Sequence, residues 1–329
     1  MDTATEKLEL PSVQDPPGTP VKYVRSTMIL FILVHLIAVA GVIVDGWSWS
    51  GVVLALSAYY ARMILVTAGY HRYFSHRSFR TSRVFQFLLA VATQSAAQNG
   101  VIWWASHHRW HHRHSDTPLD VHSVKQRGFW YSHVGWILQD AWKTDLRMVP
   151  DLAKYPELRL LDRPGYQFLP PALLGLAFLL IGGVHGLVWG FMVSTVLLWH
   201  GSFAINSLTH MFGRPRYVTH DNSRNHWLLA LITTGEGWHN NHHHYASSAK
   251  QGFFWWEIDP TYWVLRVWQM VGLIHDLRCP PAHVLAGPLV IDAKEDRALL
   301  GPKAKTALMD LHPRDAKTVE AGAEMYRTA

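Results

Sequence analysis

The sequence predicts an all-α integral membrane protein: four transmembrane helices in two hairpins, with a cytosolic helical cap. Three observations predict it. Composition is the first, since 49% of the 329 residues are hydrophobic, only 16% are charged, and 16 are Trp. A soluble domain carries about 25% charged residues, and Trp is enriched where helices cross the membrane–water boundary. The second is four apolar runs, at about 27–44, 51–70, 166–183 and 187–208, each long enough to cross ~30 Å of hydrocarbon. Charge is the third. The turns at 45–50 and 184–186 contain no Lys or Arg, whereas the N-terminal tail, the segment 71–165 and the chain after 210 carry nearly all of them. Positive charge stays inside, so both termini and both large segments are expected in the cytosol.

Taken in order, residues 1–26 read as a disordered cytosolic tail, with four prolines in the first twenty positions and no cleavable signal pattern. The membrane domain is expected over 27–278, its cap formed by 71–165 and 210–278. The turn Asp45–Ser50 forces spans one and two into a hairpin, and a tight turn near Gly186 does the same for spans three and four. The apolar run Val84–Ala97 carries Gln86, Thr93, Gln94 and Ser95 and is short for a span. A helix lying on the membrane or buried in the cap is expected there. Were it to cross, His71 and His108 would face opposite compartments. Residues 253–275 are aromatic but interrupted by Glu257, Asp259 and Pro260, which suits an interfacial helix; 279–329 read as a cytosolic tail. The single cysteine, Cys279, excludes an internal disulfide. No basic run interleaved with aromatics suggests a nucleic-acid groove.

Histidine concentrates at the membrane exits. The stretch Trp103–Asp116 holds His107, His108, His111, His112 and His114, and in a helix His108, His111 and His112 share one face. His71 and His76 follow span two; as i and i+5 of an ideal α-helix they would diverge by about 140°, so they require a helix end between them or two metals. Asn206 and His210 stand one turn apart at the end of span four. His239, His242 and His243 repeat the H-x-x-H-H spacing. Nine histidines exceed the four ligands of a zinc site and fit two metals of four to six ligands each. The absence of HExxH disfavours a zinc peptidase, and imidazole ligands with open positions suit iron and O₂ chemistry. Glu236, Asp116 and Asp120 are candidate carboxylates for orienting the rings.

The boxes H-R-Y-F-S-H-R (71–77), H-H-R-W-H-H (107–112), N-S-L-T-H (206–210) and G-E-G-W-H-N-N-H-H (235–243), with G-F-W-Y-S-H-V-G-W (128–136), resemble those of membrane fatty-acid desaturases of the stearoyl-CoA Δ9 type. The resemblance runs from about residue 27 to 278. It implies a nine-histidine di-iron site at His71, His76, His108, His111, His112, His210, His239, His242 and His243, with Asn206 reaching one metal through water. It further implies insertion of a cis double bond at Δ9 into a saturated acyl chain lying in a kinked tunnel, with O₂ reduced to water. Asn99 and Trp104 match positions near the carrier end of the substrate, and Ala55 and Tyr59 lie on the face expected at the tunnel's far end. Acyl-CoA is the carrier the resemblance implies, with acyl lipid and acyl-carrier protein left open. The basic pair expected after H-V-G-W is replaced by Gln139-Asp140, for which Lys143 and Arg147 are candidate substitutes. His107 stands where the family has Asp, and His107 and His114 fall outside the ligand set. No H-P-G-G haem segment is present, so a separate electron donor is expected: cytochrome b5, ferredoxin or rubredoxin with its reductase. The implied location is a bacterial inner membrane. Two rivals remain: a di-iron lipid hydroxylase or ketolase on the same scaffold, and a histidine-rich metal-handling membrane protein. Arg62, mid-span, is costly and marks a candidate functional position, with a tunnel water or an acid on a neighbouring helix as its expected partner.

Overall fold

The computed structural model describes residues 22–139 and 143–290. The expected tails fall largely outside these residues, as does Asp140. Helix α1 (Arg25–Asp45) is followed by α2 (Trp49–Leu65), whose first turn is capped by Ser48 accepting the Gly51 N–H at 2.9 Å. Next come α3 (Arg83–Gln94), α4 (Val101–His114), α5 (Phe129–His133), α6 (Leu169–His185), α7 (Ser194–Leu208), α8 (His239–His244) and α9 (Pro260–Met270). Two short strands, β1 (Arg80–Thr81) and β2 (Ile274–His275), pair antiparallel with Arg80 opposite His275. They tie the segment before α3 to the segment after α9.

Three helical stretches are long and apolar enough to cross a membrane: Arg25–Asp45, Trp49–Ser75 and Tyr166–Leu208, with mean hydropathies of 2.8, 1.6 and 2.0. The last has 43 residues, which as one straight helix would measure about 65 Å, twice the hydrocarbon thickness. It is not straight. Gly183 adopts φ 60°, ψ −151°, a region essentially restricted to glycine, and the chain folds back there. A Cβ on Gly186 would stand 2.4 Å from the Phe178 carbonyl oxygen, and one on Gly175 would touch the Phe191 ring. The reversal expected near Gly186 therefore lies three residues earlier. Gly186 is helical, and its missing side chain permits the close return.

The second expected span also differs. Helix does not end at Tyr70 but continues to Ser75 as a π-helical segment, Val66–Ser75. The His76 N–H donates to the His71 carbonyl at 3.2 Å, the i→i+5 bond that defines this geometry. Neither a helix end between the two histidines nor a second metal is needed to bring them together; the wider turn does it. Arg109 locks the end of the segment, donating to the Phe74 and Ser75 carbonyls at 2.9 and 2.8 Å while paired with Asp151.

Helix α3, at 12 residues, is too short to cross. It buries Gln86, Leu89, Ala90, Thr93 and Gln94 and exposes Val84 and Leu88. Polar groups inside and apolar groups outside are what a helix lying against lipid requires. At the far end of the bundle, His185 Nδ1 and Trp189 Nε1 both meet the Asp45 carboxylate, at 2.6 and 3.1 Å, tying the α6 reversal to the α1–α2 turn. Arg62 is buried on α2, but its partners are not an acid: it donates to the Ser194 and Thr195 hydroxyls and to the Ser95 carbonyl, at 3.0, 2.8 and 2.6 Å. The guanidinium thus fastens α2, α3 and α7 together.

Candidate metal centre

Helix α4 packs beside the π-segment. Its N-terminus has no side-chain cap of its own; Asp162 supplies one from 59 residues away, accepting the Trp103 N–H at 2.9 Å. Four turns of helix then present histidines in two directions. Residues i and i+4 share a face whereas adjacent residues diverge. His108 and His112 accordingly join His71, His76 and His242 in one cluster, while His111 joins His210, His239 and His243 in another. Within each cluster the ligand nitrogens all lie within 4.8 Å of one another. This corrects the single three-histidine face expected from α4. Helix α8 repeats the division, with His239 and His243 (i, i+4) in the second cluster and His242 in the first.

The nitrogens converge at ligand-like spacing. In the five-histidine cluster, Nε2–Nε2 separations are 3.0 Å for His71–His242, 2.8 Å for His76–His108, 3.0 Å for His108–His112 and 2.9 Å for His112–His242. In the four-histidine cluster, His210 and His239 approach to 3.1 Å. The two clusters abut, the His112 and His243 rings stacking at 4.4 Å. Burial, reinforced by neighbouring imidazoles, holds His76, His108, His112, His239 and His242 well below the ordinary histidine pKa. They are neutral, the form that donates a lone pair to a metal.

Four carboxylates orient the rings from behind. Glu236 meets Nδ1 of His71 at 2.5 Å, Asp120 that of His111 at 2.8 Å, Asp116 that of His210 at 3.1 Å and Asp221 that of His243 at 2.5 Å. Each bond fixes the tautomer, so that Nε2 faces the cluster. Burial raises the pKa of each acid, but the imidazole partners and added hydrogen bonds outweigh it, leaving all four below the usual carboxylate range. Glu236 is itself gripped by Arg72, a fully buried guanidinium shared with Asp259. The Nε2 atoms of His111 and His243 are buried without a hydrogen-bond partner. These two orphaned nitrogens, at the focus of the four-histidine cluster, fit one metal ion, and the converging Nε2 atoms of the five-histidine cluster fit a second.

Nine of the ten expected ligand positions thus supply the two clusters. The tenth, Asn206, is half-buried on the last turn of α7, four residues before His210. Sequence reasoning missed Asp221, which lies in an irregular segment without motif spacing. It also missed His122, whose ring packs 4.2 Å from His111 and whose backbone N–H binds Asp120. His107 is buried, its Nδ1 2.6 Å from the Trp103 carbonyl, and the His114 ring lies tilted against Trp110 at 4.3 Å. Trp104 stacks between Tyr70 and His108, at 5.3 and 4.9 Å, and Tyr70 donates to the Asn99 carbonyl. Ala55 packs with Val188 and Trp189, and the Tyr59 hydroxyl donates to the Ile232 carbonyl at 2.8 Å.

Helices that can enter a membrane, topped by two abutting imidazole clusters with carboxylate supports, define a histidine-rich membrane oxidoreductase scaffold. Residues 47–274 match the family model described as Fatty acid desaturase. The chain is 36% identical over 284 residues, covering 84% of it and 86% of the relative, to an sn-1 stearoyl-lipid 9-desaturase of Synechocystis sp.. It is 37% identical to an sn-1 stearoyl-lipid 9-desaturase of Anabaena variabilis, over 76% of this chain and 92% of that one. An acyl-CoA 5-desaturase of Anemone leveillei is 36% identical, over 71% and 74%. The protein belongs to the fatty acid desaturase family.

Proposed function

We propose that the protein is an O₂-dependent acyl desaturase that inserts a cis double bond at Δ9 of a saturated chain, using two irons held by the nine histidines. The observation that carries this reading is the division of nine histidines into two abutting clusters with carboxylates behind them. Iron bound there supplies O₂ activation and hydrogen abstraction, and the residues supply the rest. His71, His76, His108, His112 and His242 would hold one ion; His111, His210, His239 and His243 the other, with Asn206 reaching it through water. Glu236, Asp120, Asp116 and Asp221 keep the rings aimed. Asn99 and Trp104 are proposed at the carrier end of the acyl chain, and Ala55 and Tyr59 at its far end, where α2 and α7 would stop the methyl terminus. Regiochemistry follows from distance: the carrier end is fixed, so the length from it to the metals selects the carbons.

Folding back at Gly183 supports four crossings in two hairpins. The tips at Asp45 and Gly183, free of Lys and Arg, meet on one side, and the nine clustered histidines lie on the other, with the basic segments. Both termini and the site are then cytosolic, in a bacterial inner membrane, and electrons arrive from a separate small donor such as cytochrome b5, ferredoxin or rubredoxin. We favour an acyl lipid over acyl-CoA as carrier. Gln139 occupies a position of the missing basic pair and is bonded to Tyr131, and Arg147 is already tied to Asp145 at 2.8 Å.

Expression in a host lacking its own desaturase tests the reading. Gas chromatography of separated lipid classes is expected to show a Δ9 cis-monoene formed on intact lipid. His108→Ala and His242→Ala are each expected to abolish it while the protein still inserts. A hydroxylated product alone, or monoene persisting in both variants, would overturn the assignment; monoene only in the acyl-CoA pool would overturn the carrier.

A further inference from the structure

Three histidines outside the metal centre, His35 on α1, His133 on α5 and His200 on α7, form a hydrogen-bonded chain. Nε2 of His35 lies 3.0 Å from Nε2 of His200, Nδ1 of His200 lies 3.0 Å from Nε2 of His133, and Nδ1 of His133 lies 3.0 Å from Oγ of Ser207. His200 uses opposite ring nitrogens for its two neighbours. The rings are therefore strung in series rather than converged on a point, the geometry of a relay and not of a chelate.

The ends of the chain dictate its protonation. Nδ1 of His35 is 2.7 Å from the Phe31 carbonyl, which only accepts, so that nitrogen carries a proton. A neutral His35 then accepts at Nε2, which makes His200 donate from Nε2 and accept at Nδ1. His133 must in turn donate from Nε2 and accept at Nδ1, from the Ser207 hydroxyl. That hydroxyl also lies 3.0 Å from the Phe203 carbonyl, and it has one proton for two acceptors. With three neutral rings one hydrogen bond goes unmade. One extra proton on His133 restores both: Nδ1–H donates to Ser207, and Ser207 donates to Phe203. Moving the His133 Nε2 proton to Nδ1 of His200, and then the His200 Nε2 proton to His35, passes the charge along the chain with every bond retained.

The surroundings suit a shared cation. His133 stacks on Phe129 at 5.2 Å, His35 lies 4.3 Å from Phe31 and 6.0 Å from Trp199, and Phe203 makes T-shaped contacts with both His133 and His200. Aromatic faces attract such a charge. Among the described residues, no carboxylate, Lys or Arg hydrogen-bonds to the three rings. Ser207, on the last turn of α7, precedes His210 by three residues, and Ser132 donates to the Asn206 carbonyl beside it.

We propose that His35, His200 and His133 store one proton for the metal centre and release it through Ser207, whose hydroxyl takes the Nδ1 proton of His133 while giving its own proton to a water on the His210 side. This rests on the desaturase reading. There the acyl chain gives up two hydrogens, the external donor gives two electrons, and two further protons complete two waters from O₂. The chain supplies one of those protons and is recharged from solvent between turnovers.

The test uses the full-length protein in lipid nanodiscs. With ¹⁵N-labelled histidine and Zn²⁺ in the metal sites, nitrogen NMR is expected to show the three rings gaining one proton together as pH falls from 8 to 5. In His200→Phe, His133 and His35 are expected to titrate independently. In the iron-loaded enzyme the same variant is expected to keep wild-type metal content and KM, lose about tenfold or more in kcat, and shift its pH profile. Ser207→Ala is expected to retain the shared titration yet lose kcat. Ring shifts that stay constant with pH would overturn the proposal. So would variants with a lowered Tm but a wild-type pH profile and kcat, the mark of a structural latch. Failure of the wild-type chain to make any unsaturated lipid would instead overturn the desaturase reading, and with it the purpose of the store.

Discussion

Replacing Asp221 with Ala removes the carboxylate that holds His243, the contact sequence reasoning did not find. In the folded protein Asp221 Oδ2 lies 2.5 Å from His243 Nδ1, with both side chains almost fully buried. The carboxylate is itself positioned by the Ser223 N–H and the Thr219 hydroxyl, each at 3.0 Å. Without it, the His243 tautomer is no longer fixed and the ring loses basicity. Loss of such a support typically costs 10- to 100-fold in metal affinity, about 1.4–2.7 kcal/mol. The cost is expected in one cluster only, since Asp221 touches neither His71, His76, His108, His112 nor His242. Chelator competition on the Co²⁺-loaded protein measures it. The variant is expected to release one ion per chain at 10- to 100-fold lower chelator and the other as in wild type, with Asp221→Asn intermediate. Equal weakening of both ions, or of neither, would refute the reasoning.

Three further outcomes follow from the same structure. Arg72→Met leaves Glu236 and Asp259 buried without their cation, a loss of about 3–5 kcal/mol, read as a fall in Tm together with loss of bound metal. Gly183→Ala forces a side chain into a glycine-only conformation and is expected to cost on the order of 1–3 kcal/mol without altering metal content; an unchanged Tm would refute the reversal at that residue. Asp162 is pushed up from 3.8 to about 6 by burial, against the pull of the Trp103 and Ile102 N–H groups. A raised acid stabilises the fold below its unfolded pKa, and that stability is lost as pH rises through the folded value. Between about pH 4 and 6 that loss opposes the gain in stability from the buried neutral histidines, so Asp162→Asn should make Tm climb more steeply with pH than in the wild type; parallel curves would contradict the burial of this carboxylate.

Much of the site was legible because metal chemistry demands particular residue types in number. Nine histidines in boxes have few other uses, and Glu236, Asp116 and Asp120 were recognisable as acids beside those boxes. Asp221 was not, because a support acts through one contact formed in space and imposes no spacing on the chain. The apolar runs were legible for a similar reason: each must match the hydrocarbon thickness whatever its neighbours do.

Local backbone geometry was less legible. A π-turn and an α-turn differ by one residue in their hydrogen-bond register, and only the packing of Val66–Ser75 against α4, with Arg109 closing its end, selects the wider one. Arg62 illustrates the same limit, since the hydroxyls and carbonyl that hold it come from two other helices. The sequence by itself determined a membrane chain with nine histidines gathered in boxes outside the apolar runs, because composition, run length and motif spacing are properties of segments. Tertiary structure alone decided which histidine joins which cluster. Adjacent residues on α4 and α8 point to different foci, and those foci exist only where four separate stretches of chain meet.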